Sequence, residues 1–140
     1  SLRMEKAYRG WGAELTGEIS LVEAGMNRFF NLKKKNNFFG AKALQEKIQS
    51  GVDIKIVYIE VDVEDADARG NEPVYHNNKI VGVVTSGGYG FRAKKSLAFA
   101  YVKSDLANAS NLEIEIQGQR RKTKILDKVV YDPDNQKLKA

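Results

Sequence analysis

The fold is decided by the stretch Ile54-Lys55-Ile56-Val57-Tyr58-Ile59-Glu60-Val61-Asp62-Val63. It is rich in β-branched and aromatic side chains, which favour a pleated, half-buried strand. Apolar residues alternate from Ile54 to Tyr58 and then, one position out of phase, from Ile59 to Val63. A change of phase within one strand predicts a β-bulge or a sharp coil near Tyr58.

Further segments of strand character follow at short spacing. They are residues 73–75, 80–85, 96–102, 112–117 and 120–130. His76-Asn77-Asn78-Lys79 predicts a hairpin turn, since asparagine tolerates the left-handed backbone of such turns. Residues 86–90 are predicted to form a tight, glycine-rich loop. About six short strands predict a mainly β fold, an antiparallel β-barrel of the Greek-key type.

Two short helices are predicted before the barrel. The first covers residues 20–30, where Ser20 is an N-cap and Glu23 stands three residues on, as a capping box requires. The second covers residues 41–49 and ends at Gly51, which suits the left-handed stop of a helix. Long helices do not alternate with the strands, so a doubly wound sheet is not expected.

Aromatic residues before the second helix are interpreted as core anchors. Phe38 and Phe39 stand together there, and each ring offers a large apolar area for burial. The lysine run Lys33–Lys35 precedes them. It has two readings, a solvated loop or a contact to an anion.

Composition excludes several kinds of site. The 140 residues contain no cysteine, which excludes disulfides, thiolate metal sites and cysteine nucleophiles. The single histidine, His76, leaves no multi-histidine metal site. No stretch approaches the roughly 20 apolar residues of a membrane span, so no membrane partner is expected. The net charge of +5 permits an anionic partner, but acids interleaved among the lysines disfavour nucleic acid.

The glycines at residues 87–90 do not match a phosphate-binding loop. Such a loop opens directly onto a helix N-terminus, whereas these glycines lead into another predicted strand. Glu5 is the stronger candidate for a ligand contact. A carboxylate pairs with any planar group that offers two adjacent N–H donors, such as a pterin edge, and Tyr8 or Trp11 could stack on the ring. The alternative is a local ion pair with Arg3, Lys6 or Arg9.

Several segments together resemble one family. Residues 3–15, Arg-Met-Glu-Lys-Ala-Tyr-Arg-Gly-Trp-Gly-Ala-Glu-Leu, resemble the dimethylglycine and sarcosine dehydrogenases, which share a module with the aminomethyltransferase (T-protein) of the glycine cleavage system. The similarity continues in order through residues 21–26, 38–44, 70–74, 81–90 and 131–133. Each motif is short, but the ordered set is specific.

The resemblance implies a division of the chain. Residues 1–37 would be the end of an α+β folate-binding subdomain, residues 38–133 the carboxy-terminal β-barrel, and residues 134–140 a polar tail. The family's catalytic aspartate and flavin-binding glycines have no counterpart here. The chain is therefore expected to be a fragment that is inactive alone and relies on the remaining domains of its parent.

The resemblance also implies a function. The parent would move a one-carbon unit from an N-methyl amine to tetrahydrofolate, with FAD in the amino-terminal part of a dehydrogenase-type parent. Glu5 would hold the pterin, with Tyr8, Arg9 and Lys33 as further folate contacts, although lysine at residue 33 lacks the planar fork of arginine. The cytoplasm, or the mitochondrial matrix of a eukaryote, is the expected location. The competing hypothesis is a non-catalytic basic barrel that binds nucleic acid or protein.

Overall fold

A computed structural model describes residues 1–33, 38–137 and 139. Its six strands are β1 (Ile54–Val61), β2 (Pro73–His76), β3 (Lys79–Gly90), β4 (Lys95–Lys103), β5 (Glu113–Ile116) and β6 (Gln119–Ile125). The α-helices are α1 (Leu2–Glu5) and α2 (Ala41–Ser50), and 3-10 turns lie at Asn27–Phe29 and Ser104–Leu106. Lys34 and Lys35 of the predicted lysine run lie outside the described residues.

The strands close into an antiparallel barrel in the order β1-β4-β3-β2-β5-β6, with β1 also paired to β6. Strands β2, β3 and β4 follow one another as neighbours, and β1 lies beside β4 rather than beside β2. Three consecutive strands with a fourth returned to their far edge form a Greek key. The predicted fold class is confirmed.

The core of the barrel is a cluster of apolar side chains. Its buried residues are Val57, Ile59, Val61, Ala68, Val74, Val84, Ala98, Ala100, Val102, Leu112, Ile114 and Ile116. The smallest core side chains of the strands, Ala98 and Ala100, come from β4, and larger ones come from β1 and β5. A closed barrel of this size has room only for side chains, so a ligand site must lie outside it.

A second cluster lies on the outer face of β1 and β4. Tyr58, Leu97 and Phe99 are buried there beneath Met4 and Ala7 of the chain's amino-terminal part. Both faces of these two strands are therefore covered. The burial of successive residues on β1 follows from this cover, because an uncovered strand would alternate between core and solvent.

The predicted bulge at Tyr58 is wrong. The pairing of β1 with β4 runs without a shift from Ile54 opposite Lys103 to Val61 opposite Ser96. The apolar residues change phase because the inner face is apolar at one end of the strand and the outer face at the other.

The predicted loop at residues 86–90 is also wrong. Strand β3 continues to Gly90 with a register shift between Val84 and Ser86, and the chain turns only at residues 91–94. Glycine is needed here because another part of the backbone approaches the strand closely. A Cβ at Gly87 would collide with the backbone carbonyl of Ala68.

Of the two helices predicted before the barrel, only the second forms. No α-helix forms at residues 20–30, although Ser20 N donates to Glu23 Oε2 at 2.7 Å and Glu23 N donates to Ser20 Oγ at 3.3 Å, as the capping box predicts. The turn at residues 21–25 does not continue into a helix because Gly25 adopts a φ of +63°. Helix α2 ends at Gly51 as predicted and Gly51 has a positive φ of +80°, but its ψ of 178° is extended rather than that of the predicted left-handed stop.

The predicted role of the two phenylalanines is wrong. Phe38 is 38% exposed and Phe39 is fully exposed. The predicted hairpin turn at residues 76–79 is confirmed, since Asn77 and Asn78 both have positive φ between β2 and β3. The last strand is shorter than predicted and ends at Ile125.

Candidate ligand-binding cleft on the amino-terminal segment

Residues 1–33, called here the amino-terminal segment, cross the outer face of the barrel. Two glutamates of this segment, Glu5 and Glu14, are completely buried against β3 and the turn that follows it. A buried carboxylate is costly unless it is paired and hydrogen-bonded, so the partners of these two side chains decide how the segment is held.

Glu14 has a full set of partners. Its carboxylate accepts hydrogen bonds from Gly10 N at 2.7 Å, from Thr85 Oγ1 at 2.6 Å and from Ser86 Oγ, and Arg3 pairs with it at 3.0 Å. Burial opposes ionisation, but these hydrogen bonds and the charge of Arg3 outweigh it and lower the pKa of Glu14. The ionised carboxylate joins the segment to β3.

Glu5 is bound on one side only. Its Oε1 accepts hydrogen bonds from the backbone N–H groups of Arg92 and Ala93, both at 2.7 Å. Its Oε2 is buried and has no hydrogen-bond partner within the described residues. The glutamate thus fastens α1 to the turn between β3 and β4, and that turn covers it.

Two tyrosines of the barrel reach outward to the same segment. Tyr58 on β1 donates to the carbonyl of Met4, and Tyr101 on β4 donates to the carbonyl of Glu14, both at 2.8 Å. Burial, followed by the nearby charges of Glu5 and Glu14 respectively, raises the pKa of each tyrosine to about 12. Both phenols therefore remain protonated donors at neutral pH.

A cleft opens where the amino-terminal segment folds back on itself. Its volume is about 390 Å³, which lies in the range of small-molecule sites. The lining residues are Lys6, Ala7, Tyr8, Arg9, Gly25, Met26, Arg28, Phe29 and Val129. Among the described residues that line it, every charged side chain is a cation, and two aromatic rings are exposed beside them.

Arg9 is the most constrained cation of this cleft. Its Nη1 donates to the carbonyl of Ala7 at 2.9 Å, and its guanidinium lies over the Phe99 ring at 5.4 Å from the centroid. Its Nε is buried without a hydrogen-bond partner within the described residues. Burial lowers the pKa of Arg9, and the like charge of Arg28 adds to this while the negative charge of Glu14 opposes it, although an arginine remains protonated.

The other cations of the cleft differ in their freedom. Lys6 is engaged, since its Nζ donates to the carbonyl of Asp132 at 2.7 Å and to Asn135 Oδ1 at 2.6 Å. Arg28 rests on the ring of Phe29, at 4.9 Å from the centroid. The two guanidiniums are therefore the charges that face the cleft.

The four predicted folate contacts divide between three places. Tyr8 and Arg9 come together in the cleft. Glu5 lies apart from it, sealed under the 91–94 turn, and Lys33 is exposed and does not line it. Sequence reasoning missed Arg28, because its spacing from Arg9 gives no local signal and only the turn at Gly25 brings the two near each other.

A larger cleft of about 860 Å³ lies at the end of the barrel. Its charges are mixed, with an acidic loop at residues 62–67 facing lysines of β4 and β6, and Lys95 is already paired with Glu60. Within the described part of the chain, no group of three acidic, histidine or cysteine side chains could hold a metal ion. In the same residues, no helix is long and apolar enough to cross a membrane.

Fold and cleft together define a class of protein, a six-stranded Greek-key barrel with an amino-terminal segment that covers its outer face and carries a cationic cleft. Residues 55–132 match the family model described as the glycine cleavage T-protein C-terminal barrel domain. The match covers more than half of the chain, and the chain belongs to this family.

Relatives extend the similarity beyond the barrel. Human mitochondrial dimethylglycine dehydrogenase is 36% identical over 99% of this chain and 16% of its own length. The aminomethyltransferase of Prochlorococcus marinus strain NATL1A is 33% identical over 94% of this chain and 35% of its own length. The predicted family resemblance is confirmed, and the chain spans only a minor part of these relatives.

A solved structure supports the fold independently. The glycine cleavage system aminomethyltransferase T from Bartonella henselae superposes with a TM-score of 0.84 over 94% of this chain and 37% of that protein. Its sequence identity is 24%, so the comparison establishes the shared architecture.

Proposed function

We propose that this chain is the barrel portion of a folate-dependent enzyme that transfers a one-carbon unit from an N-methyl amine to tetrahydrofolate. Membership of the T-protein barrel family and similarity to aminomethyltransferases and dimethylglycine dehydrogenases support the proposal. Further domains would supply the catalytic carboxylate. In a dehydrogenase-type parent we assign FAD to an amino-terminal domain.

The folate proposal rests mainly on one feature of the cleft. Exposed aromatic rings lie there beside two arginines that form no ion pair within the described residues. Folate joins a pterin, a planar aminobenzoyl group and an anionic glutamate. Tyr8, which is 47% exposed, offers a ring face, and Arg9 offers a planar fork for a carboxylate. These residues fit folate. Tetrahydrofolate, when bound, would accept the one-carbon unit, and the part of Tyr8 and Arg9 would be to bind and orient it.

Glu5 stays a prediction as the pterin contact. Its unpartnered Oε2 is the acceptor that remains for such a ligand. Because Glu5 is completely buried, the turn at residues 91–94 must move before a pterin reaches it. Lys33 likewise stays a prediction, as an exposed cation that would meet a folate tail only outside the cleft.

Exposed apolar residues support a role alongside other domains. Leu2 is 68% exposed and Trp11 is 82% exposed, on the segment that carries the cleft. Large exposed side chains of this kind mark interaction surfaces when they lie together. We propose that they contact the remaining domains of a longer enzyme, in the cytoplasm or, because a relative is mitochondrial, in the mitochondrial matrix.

The competing proposal is a basic module that binds nucleic acid or protein. The exposed basic residues of β6 are its natural surface, but each has an acidic residue opposite on a neighbouring strand. Glu113 and Glu115 of β5 face Lys122 and Arg120, and Glu60 of β1 faces Lys124. Cross-strand pairs of opposite charge reduce the field that a phosphate backbone would meet. This favours the folate proposal.

Calorimetric titration of the 140-residue chain with tetrahydrofolate tests the proposal. We expect weak binding, on the order of 1 mM, because a single shallow cleft encloses little of the ligand. Tyr8→Ala should weaken it severalfold, whereas Tyr89→Ala, which removes a comparably exposed ring elsewhere, should not. The proposal fails if the folded chain binds no tetrahydrofolate, and salt-dependent retention on a nucleic-acid column would then favour the module.

A further inference from the structure

The donors of Arg9 are only partly used. One nitrogen donates to a backbone carbonyl, while Nε is removed from solvent and unpaired within the described residues. Nη2 lies beside Gly25, where even a Cβ would stand 3.4 Å from it. A half-buried guanidinium with unused donors is a costly arrangement, unless an acceptor outside the chain completes it.

The surroundings point to an anion as that acceptor. Arg28 adds a second positive charge close enough to lower the pKa of Arg9. Neither arginine forms an ion pair within the ranges that the structure describes, whereas the partly buried cations Arg3, Lys6 and Lys95 each pair with a carboxylate. The barrel-end cleft offers the contrast, because there Glu60 neutralises Lys95 at close range.

Aromatic walls restrict the anion further. The rings of Tyr8 and Phe29 both line the cleft, and Phe29, which is 62% exposed, carries Arg28 on its face. A bare inorganic anion would leave both rings in water. An anion attached to a planar ring would cover them while its charge meets the arginines.

We propose that the cleft between Arg9 and Arg28 is a carboxylate-binding site that takes an aromatic carboxylate, and that it receives the aminobenzoylglutamate end of folate rather than the pterin. The inference rests on the proposed function as far as folate is concerned. An independent small aromatic carboxylate would present the same chemistry. In either case Arg9 provides the fork, Arg28 adds charge, and Tyr8 packs on the ring.

The test uses the ¹⁵N-labelled 140-residue chain and three probes: N-(4-aminobenzoyl)glutamate, benzoate and inorganic phosphate. Aminobenzoylglutamate should shift the Nε–Hε signal of Arg9 in the unmodified chain, a readout that needs no variant to fold. Arg9→Gln should weaken its binding about tenfold. Arg9→Lys should lose most of that affinity, because the charge remains but the fork does not. The matched control is Arg69→Gln, an exposed arginine outside the cleft, which should bind as the unmodified chain does.

The outcomes separate this site from the folate proposal. Tetrahydrofolate binding that is equal in the unmodified chain and in Arg9→Gln would overturn the carboxylate site and leave the folate proposal standing. Binding of aminobenzoylglutamate at Arg9, with tetrahydrofolate no tighter, would support the site and count against the pterin contact. If benzoate binds as well as aminobenzoylglutamate, the site stands with a small aromatic carboxylate as its ligand. If inorganic phosphate binds as tightly as benzoate or aminobenzoylglutamate, the proposed role of the Tyr8 and Phe29 rings would be overturned.

Discussion

The inner and outer faces of β1 and β4 are buried by different means. Inside, the two strands contribute apolar side chains to the barrel core, in the cluster that includes Ile59 and Ala100. Outside, Tyr58, Leu97 and Phe99 lie under a segment whose own contacts include buried carboxylates. The same strands therefore contribute to one core that follows from hydrophobic pattern and to another that depends on placed hydrogen bonds.

The difference teaches how the amino-terminal segment finds its position. Apolar burial is non-directional, so the outer cluster alone would tolerate several placements of the segment. Glu14 can be satisfied only where Thr85 and Ser86 meet it, and Glu5 only at the turn after β3. Fixing the segment in this way also fixes the cleft that it carries.

The largest effect should come from removing the satisfied buried carboxylate. Glu14→Ala leaves Arg3, Thr85 and Ser86 without their partner, and we expect it to lower the free energy of unfolding by about 3–5 kcal/mol. Glu18→Ala, an exposed position of the same segment, should change it by less than about 0.5 kcal/mol. Urea unfolding measures both. Equal effects would mean that the carboxylate does not hold the segment.

A smaller effect should follow from crowding Glu5. A Cβ at Gly90 would lie 2.7 Å from Glu5 Cγ and 3.0 Å from Leu97 Cδ1, so Gly90→Ala should destabilise the fold by about 1–3 kcal/mol. At Gly17 an added Cβ meets no atom within 4 Å. Gly17→Ala is the matched control, and thermal unfolding should separate the two. A harmless Gly90→Ala would contradict the close packing of Glu5.

The outward tyrosines should each contribute less. Tyr58→Phe removes the hydrogen bond to the Met4 carbonyl, and Tyr101→Phe the bond to the Glu14 carbonyl, at a cost of about 1 kcal/mol each. Tyr89→Phe serves as the control, since the hydroxyl of Tyr89 makes no hydrogen bond within the described residues. Urea midpoints that do not move for either buried tyrosine would show that the ring alone matters.

The mildest perturbation is acid. The folded state lowers the pKa of Glu14, so its ionisation stabilises the fold above the ordinary value of 4.5 and that contribution is lost as pH falls through the lower folded pKa. The urea concentration at the unfolding midpoint should therefore decrease as the pH is lowered below 4.5. Glu14→Gln should flatten this dependence, and an unchanged slope would assign it to other carboxylates, among them Glu23, whose pKa is also lowered.

The elements predicted correctly are those in which the deciding residues lie within the element itself or next to it in sequence. Leu112, Ile114 and Ile116 alternate with polar residues, and all three enter the barrel core. The paired asparagines at residues 77–78 adopt the positive φ that their hairpin needs. Gly51 ends α2 for the same backbone reason. In each case the signal and the structure lie within a few residues of each other.

The errors come from contacts made far along the chain. The glycines of β3 resemble a loop in sequence, but Gly87 faces Ala68 and Gly90 faces Glu5. The apparent bulge at Tyr58 reflects the cover that Met4 provides. For the candidate site, Tyr8 and Arg9 were predicted as neighbours in sequence, whereas Arg28 reaches them only through tertiary structure.

Hydrogen exchange at the amides of Arg92 and Ala93 tests the central claim most directly, namely that the amino-terminal segment is bound into the fold by its glutamates. Both amides lie in an exposed turn and donate to Glu5 Oε1. If the segment is fixed, they should exchange at least about 100-fold more slowly than an open turn, and Glu5→Ala should abolish this protection. Exchange at open-turn rates in the unmodified chain would contradict the claim, and with it the fixed cleft on which both proposals depend.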